Sequence, residues 1–388
     1  MICKYPPIQG GVSAECYWTA NMLAEMGHEV HVLTNAQEVE AEYRIEMMPE
    51  DEKLLTGFRK EGSIRVWSTH VDKKHVFIPQ TNPSMSKLLS AGLEVVEAHR
   101  PDFILAHYLE PYGVVAFMLS RLTGVPYVFR HAGSDIGRLM LTSQLGRIHR
   151  EVLREALFVM TQPSHRERFA SVGVRPERLM GSVSTKMRHD LFCPTPFSIR
   201  NPFVLGVYGK VGRSKGTEAL IRAVKKLPED GCLVKLRTHW GGRDLGYYES
   251  FVGELGVSHL VDNRGFIPHW RIPRFIQSCD AVLFLENRFG ISFHQPSIPL
   301  EVLSCGRPLI TTAEVANKPT YRELIRDGQN AFVLDGAVTM ESVASEIVRA
   351  QNSLQRSGVI QYPGILPNSE VWMRVRMQRL LDTIQQRL

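Results

Sequence analysis

The chain has 388 residues, 44% hydrophobic and 22% charged, which is the balance of an ordinary soluble globular protein and enough length for two domains of roughly 100–200 residues. Its formal charge of +6 suits an anionic substrate, an acidic membrane surface or nucleic acid, although a scattered solvated surface is the simplest explanation. No run approaches the ~20 apolar residues of a spanning helix, no secretory leader opens the chain, and the six scattered cysteines lack Cys-x-x-Cys spacing, which points to free thiols in a reducing compartment.

In chain order, a first strand has only Met1–Lys4 available, so either it is short or the reading frame begins upstream. Ser13 to Met26 carries helical periodicity with Gly27 as its stop, and Val30, Val32 and Leu33 form a buried strand ended by Thr34 and Asn35. The stretch from about Glu38 to Gln80 is less regular and reads as insertions. Phe103–His107 and Tyr127–Arg130 read as strands with a helix over Pro111–Leu122 between them, the alternation of a parallel doubly wound sheet. The second half repeats this alternation, with strands at Phe203–Tyr208, Cys232–Arg237, Ala281–Leu285 and Pro308–Thr311, and a helix at Thr217–Lys226. Prolines 194, 196 and 202 break both patterns and set the domain boundary between Phe192 and Pro202. Asn368 or Ser369 caps a last helix from Glu370 to about Arg387, after a break at Pro363 and Pro367.

Three constellations carry chemistry. Gly10-Gly11 lies directly before a helix, where free N–H groups and the helix dipole favour a phosphate; alone it is a tight turn. Gly206 to Gly216 joins a strand to a helix and packs Lys210, Arg213 and Lys215 into six residues, a self-repelling group unless a diphosphate meets it. Its glycine spacing matches neither the dinucleotide fingerprint nor the phosphate loop of nucleotide hydrolases. Pro296–Ile310 runs from a proline-rich loop through a short helix, ended by Gly306, to a strand, and places Glu301 where a carboxylate accepts both ribose hydroxyls or merely faces a helix dipole. The fourteen histidines form no metal motif and no Asp-x-Asp occurs.

Together these resemble the retaining GT-B glycosyltransferases of family 4, the group 1 glycosyl transferases. Gly-Gly-Val followed by Gly27–Thr34, Arg100–His107, the Arg130-His131-Ala132-Gly133-Ser134-Asp135 loop and Gly265-Phe-Ile-Pro268 fall in the family's order over nearly the whole chain. The resemblance implies an α/β GT-B fold of two facing Rossmann-like doubly wound domains with a C-terminal crossover helix. Residues 1–195 would form the acceptor-side domain, 196–366 the nucleotide-sugar domain, and 367–388 a helix returning to the first. It implies transfer of a hexose from a nucleotide-diphosphate sugar to a glycan, lipid-linked or small-molecule acceptor, without metal or other cofactor and without nucleic acid.

By the same resemblance His131, Lys210 and Lys215 are catalytic: His131 bonds the transferred sugar and the two lysines match an Arg-x4-Lys pair on the leaving diphosphate. Gly11, Gly209, Arg213, Ile267, His294, Ile298, Leu300 and Glu301 bind the donor, with Glu301 on the ribose; Gly10, His107 and Asp135 lie on the acceptor side. The first Glu of the family's Glu-x7-Glu falls on Phe293, so His294, Gln295 or Glu286 would replace it, and Gly181–Ser184 stands where the family has Asn-Gly-Val-Asp. A sugar-nucleotide epimerase-like enzyme and a catalytically degenerate nucleotide-sugar-binding partner are the alternatives; a dinucleotide oxidoreductase is the weakest, for want of its fingerprint. The arginines at 147, 150, 154, 166 and 168 partly line one helical face, either solvated or meeting anionic lipid at the inner face of a membrane, in an otherwise cytoplasmic protein.

Overall fold

The computed structural model describes residues 1–71, 82–140, 142–291, 294–356 and 370–388. Phe293, Pro363, Pro367, the caps Asn368 and Ser369 and the 366/367 domain limit lie outside them. The chain forms two compact units: Met1–Glu40, Met47–Lys186 and Val371–Leu388 make the first, Ala41–Glu46 and Met187–Glu370 the second. The second unit therefore starts before the expected residue 196, and Phe192 and Phe197 are buried in its core.

In the first unit the strands are β1 (Ile2–Cys3), β2 (Glu29–Thr34), β3 (Gly57–Arg59), β4 (Gly62–Ser68), β5 (Ile104–His107), β6 (Tyr127–Arg130), β7 (Phe158–Thr161) and β8 (Leu179–Gly181). They form one sheet in the order β3-β4-β2-β1-β5-β6-β7-β8, parallel except for the β3–β4 hairpin. Strands buried on both faces read as apolar runs, and Val-Phe at 128–129 and Phe-Val-Met at 158–160 are of that kind. The chain leaves β1 toward β4 on one side and returns to β5 on the other, so the switch point lies between β1 and β5. The helix Gly11–Glu25 opens there. The closing helix Glu370–Gln385 buries Met373, Met377, Leu380 and Ile384, and its Arg374 pairs with Glu25 at 2.5 Å.

Two expectations are corrected. The supposed insertions over Glu38–Gln80 contain β3 and β4, and β4 pairs with β2 along six residues from Glu29↔Ser63 to Thr34↔Ser68. Their residues, many of them half-exposed, alternate weakly, which hid them. The arginines of 147–168 do not share one helical face: β7 separates the helix Gly146–Glu155 from Arg166–Ser171, and Arg168 Nη2 donates to the Ile136 carbonyl at 2.9 Å.

The second unit holds β9 (Phe203–Lys210), β10 (Val234–Gly241), β11 (Val261–Asn263), β12 (Ala281–Phe284), β13 (Leu309–Thr312) and β14 (Ala331–Leu334), all parallel, in the order β11-β10-β9-β12-β13-β14. Its switch point falls between β9 and β12. Apolar clusters cover the sheet, one with the helices Thr217–Lys226 and Met340–Gln355, the other with Ile272–Gln277 and Ile298–Ser304.

Candidate active site

The loops leaving β9 and β12 flank the second unit's switch point, where ligands of open parallel sheets bind. After β9 the backbone turns over Arg213–Lys215 and re-enters a helix at Thr217. Gly216 has φ +64°, and a Cβ there would come within 2.9 Å of Leu285 Cβ and 3.0 Å of Val338, so the turn demands glycine. Thr217 Oγ1 accepts from Gly212 N at 3.1 Å and donates to Gly212 O at 3.2 Å, closing the loop on itself. Gly209, at φ +103°, leaves ordinary contact space to Ile298 Cδ1, 3.5 Å from where its Cβ would stand.

The cations of this loop differ. Lys210 is exposed, with its ammonium 4.7 Å from the Tyr43 ring centroid. Arg213 is exposed. Lys215 is part-buried: its ammonium pairs directly with Glu286 and lies 4.6 Å from the Phe289 ring centroid.

Glu286 follows β12 and is completely buried. Its Oε2 lies 3.4 Å from His294 Nε2, while its Oε1 has no hydrogen-bond partner among the described residues. Burial alone would raise its pKa; His294 and Lys215 outweigh that and hold it below the ordinary carboxylate range. Thr312 Oγ1 donates to the Glu286 carbonyl at 2.6 Å, and Glu314 accepts from the backbone N–H groups of Arg288 (2.5 Å) and Phe289 (3.3 Å), so the excursion after β12 is tied to the sheet. The loop brings Lys215, Glu286 and His294 together; Phe293 lies outside the described residues.

Glu301, in the helix Ile298–Ser304, is buried. Tyr208 donates to its Oε2 at 2.7 Å and His269 Nε2 lies 3.2 Å from its Oε1. Burial, then the Glu301 charge, push the Tyr208 phenol well above its usual range, so it stays a donor. Ile267, Ile298 and Leu300 pack on the same side of the unit. His239 Nδ1 donates to the Gly265 carbonyl at 2.8 Å, fixing the loop that carries Ile267.

The segment Ala41–Glu46 joins this region, although no motif or periodicity in it points here. Gly242 N donates to the Glu42 carbonyl at 2.9 Å, and Glu46 N donates to the Phe266 carbonyl at 2.8 Å. It lies against the ends of β9 and β10 and the Gly265 loop together.

In the first unit Gly10 (φ +133°) and Gly11 start the helix beside the switch point, and His107 ends β5. His107 is buried, with Nδ1 3.3 Å from Cys16 Sγ; burial and then Arg130 lower its pKa well below the usual value. His131 follows β6, with Nε2 2.8 Å from Thr161 Oγ1. Burial, then His165, lower its pKa to about 3, so it is neutral at pH 7. Asp135 is buried and accepts from the N–H groups of Leu109 (3.1 Å), Ala132 (3.0 Å) and Ile136 (2.7 Å), which makes it the anchor of its own loop.

Sequence reasoning passed over Glu15. It is buried in the first helix, bonded by Thr185 N (2.6 Å), Thr185 Oγ1 (2.9 Å) and Ser184 Oγ (2.9 Å), and paired with Arg130 at 3.2 Å. Burial would raise its pKa, but Arg130, Lys186 and the Thr185 donors together hold it low. The one signal it left in the sequence was an acid among apolar helix positions.

Two doubly wound units, each with a glycine-turned loop at its switch point, define the GT-B class of glycosyltransferases. The glycosyl transferase 4-like domain model matches residues 10–180 and the glycosyl transferases group 1 model matches residues 196–354; the chain belongs to the group 1 glycosyltransferases. A search of curated proteins finds no match. Among solved structures, Anabaena HepE in complex with UDP and glucose is 18% identical, with a TM-score of 0.63 over 98% of each chain. S. aureus MnaA bound to UDP is 13% identical, TM-score 0.60, over 97% of this chain and 95% of that one. Sucrose-phosphate synthase of Thermosynechococcus elongatus is 15% identical, TM-score 0.59, over 97% and 94%. Among the described residues no helix is long and apolar enough to cross a membrane.

Proposed function

We propose that this glycosyltransferase moves a hexose from a UDP-sugar to a hydroxyl of a glycan, lipid-linked or small-molecule acceptor, with retention at the anomeric carbon and without a divalent metal. The observation that carries the reading is the loop Gly209–Gly216, which sets Lys210 and Lys215 between the end of β9 and the helix Thr217–Lys226, with Lys215 paired to Glu286 and Tyr208 of β9 bonded to Glu301. The choice of base is supported by HepE, solved with UDP-glucose. Retention follows from the family resemblance of the motifs.

As the bond from the anomeric carbon to the diphosphate oxygen breaks, negative charge grows on the leaving group. Lys210, Lys215 and the N–H groups opening the helix Thr217–Lys226 meet that charge, which removes the need for a metal. Glu301 holds the ribose. Glu286 Oε1, buried and without a donor among the described residues, accepts from a hydroxyl of the transferred sugar and takes the place of the missing carboxylate at 293.

The test is thermal melting against a panel of nucleotide sugars, since ligand at 100 times Kd adds about 2.7 kcal/mol. Transfer with the stabilising donor in chelator follows, with the product anomer read by NMR. Stabilisation by UDP-sugars, chelator-resistant turnover and a retained anomer are expected. Turnover restored only by magnesium, or an inverted product, overturns the corresponding part.

A further inference from the structure

The first unit carries a cluster that the glycosyl-transfer chemistry does not use. Glu29 and His31 lie two residues apart on β2, and His99 ends the helix Ser84–His99. One ligand atom from each falls within 4.8 Å of the other two. His31 Nε2 is 3.2 Å from Glu29 Oε1, and the His31 and His99 rings stack with centroids 4.1 Å apart. A cavity of about 270 Å³ opens beside them, lined also by His28 and Arg100. This is the amino-terminal edge of β2, whereas Lys210, His107 and His131 sit at or beyond the carboxyl ends of their strands.

We infer that Glu29, His31 and His99 form a binding site for a borderline divalent cation, Zn²⁺, which clips β2 to the end of the helix Ser84–His99. Two imidazoles and a carboxylate, with water in the fourth place, are a zinc donor set. Tetrahedral ligands with bonds of about 2.0–2.1 Å stand roughly 3.3 Å apart, so the His31–Glu29 separation already matches and His99 needs a small ring rotation.

The metal-free proton arrangement is fixed by Trp67. Its indole N–H, a donor only, points at His31 Nδ1 at 3.2 Å, so neutral His31 carries its hydrogen on Nε2 and gives it to Glu29. Zn²⁺ takes the place of that Nε2 hydrogen. The proton leaves Nε2, one is taken up at Nδ1, and the Trp67 bond to Nδ1 is lost. Arg65, 3.3 Å from Glu29, must yield part of its carboxylate.

The experiment titrates ZnCl₂ into chelator-stripped, dialysed full-length protein, followed by calorimetry and tryptophan emission. One saturable site per chain with an emission change is expected. His99→Gln, on a partly exposed helix end, weakens binding at least tenfold, and Trp67→Phe keeps binding but removes the emission change. Zn²⁺ binding equal in wild type and His99→Gln, or no saturable site, overturns the assignment.

Discussion

Lys215 and Glu286 form a direct ion pair whose acidic partner is completely buried and keeps one carboxylate oxygen, Oε1, without a donor among the described residues. The pair joins the loops after β9 and β12, the two that flank the switch point. Lys215→Ala therefore removes two things. The charge on the leaving diphosphate loses a cation, a loss of about 100- to 1,000-fold in kcat. Glu286 keeps its His294 contact but loses its ammonium partner while buried, which costs about 1–3 kcal/mol of stability. Steady-state kinetics and urea unfolding of the same variant separate the terms, and near-native turnover would refute the phosphate assignment of the loop.

Glu286→Gln keeps the shape but weakens the acceptor. If Oε1 takes a sugar hydroxyl, the donor sugar nucleotide binds about 1–2 kcal/mol less tightly. Free UDP, which has no sugar, does not weaken, because Lys215 loses its competing carboxylate. Calorimetric Kd values for the two ligands give the answer; equal weakening of both removes Glu286 from the sugar.

Lys210 is exposed, with its ammonium over the Tyr43 ring. Lys210→Ala lowers kcat less than Lys215→Ala and leaves melting unchanged within about 0.5 kcal/mol. Lys210→Arg retains activity, because a guanidinium also serves a diphosphate and stacks on an aromatic face. Inactive Lys210→Arg would mean that a compact ammonium is required there.

Glu301 shows what a motif match leaves out. Its carboxylate is the buried acceptor of Tyr208 as well as the proposed ribose ligand. Glu301→Gln, which still accepts from Tyr208, weakens UDP and UDP-sugar alike, with kcat within a few-fold, since ribose contacts hardly change during transfer. Glu301→Ala in addition strands a buried phenol and costs about 1–3 kcal/mol. A kcat collapse in Glu301→Gln without loss of affinity would place the residue at the reacting centre.

The sequence was most legible where both faces of a strand are buried and a glycine must turn the chain. Tyr127–Arg130 and Thr217–Lys226 were placed to the residue, and the glycine directly before the second of them, Gly216, has a left-handed backbone. It was least legible at β3 and β4, where half-exposed residues blur the alternation, and at Ala41–Glu46, whose place in the second unit depends on backbone bonds to Gly242 and Phe266 that no side chain announces. Lys215 and Glu301 were found because glycines and prolines frame them. Glu15 and the Lys215–Glu286 pair were not, since partners 170 and 71 residues apart leave no local pattern.

His131 has a pKa of about 3 in the folded protein, from burial and from His165, against the ordinary 6.5 when unfolded. Between those values the unfolded chain binds a proton that the folded one refuses, so the neutral ring's contribution is fully present above pH 6.5 and is lost as pH falls toward 3. Each pH unit in that window removes about 1.4 kcal/mol, or about 2 kcal/mol between pH 6.5 and 5. His107, also lowered, adds to the same slope. Glu15, held low by its partners, loses its contribution only as pH falls below the ordinary carboxylate value and so does not act between pH 7 and 5. His131→Asn, which loses the titrating ring, is less stable at pH 7 yet shows a shallower fall from pH 7 to 5. Urea unfolding at both pH values measures this, and an equal slope in wild type and variant would show that His131 titrates normally in the folded state.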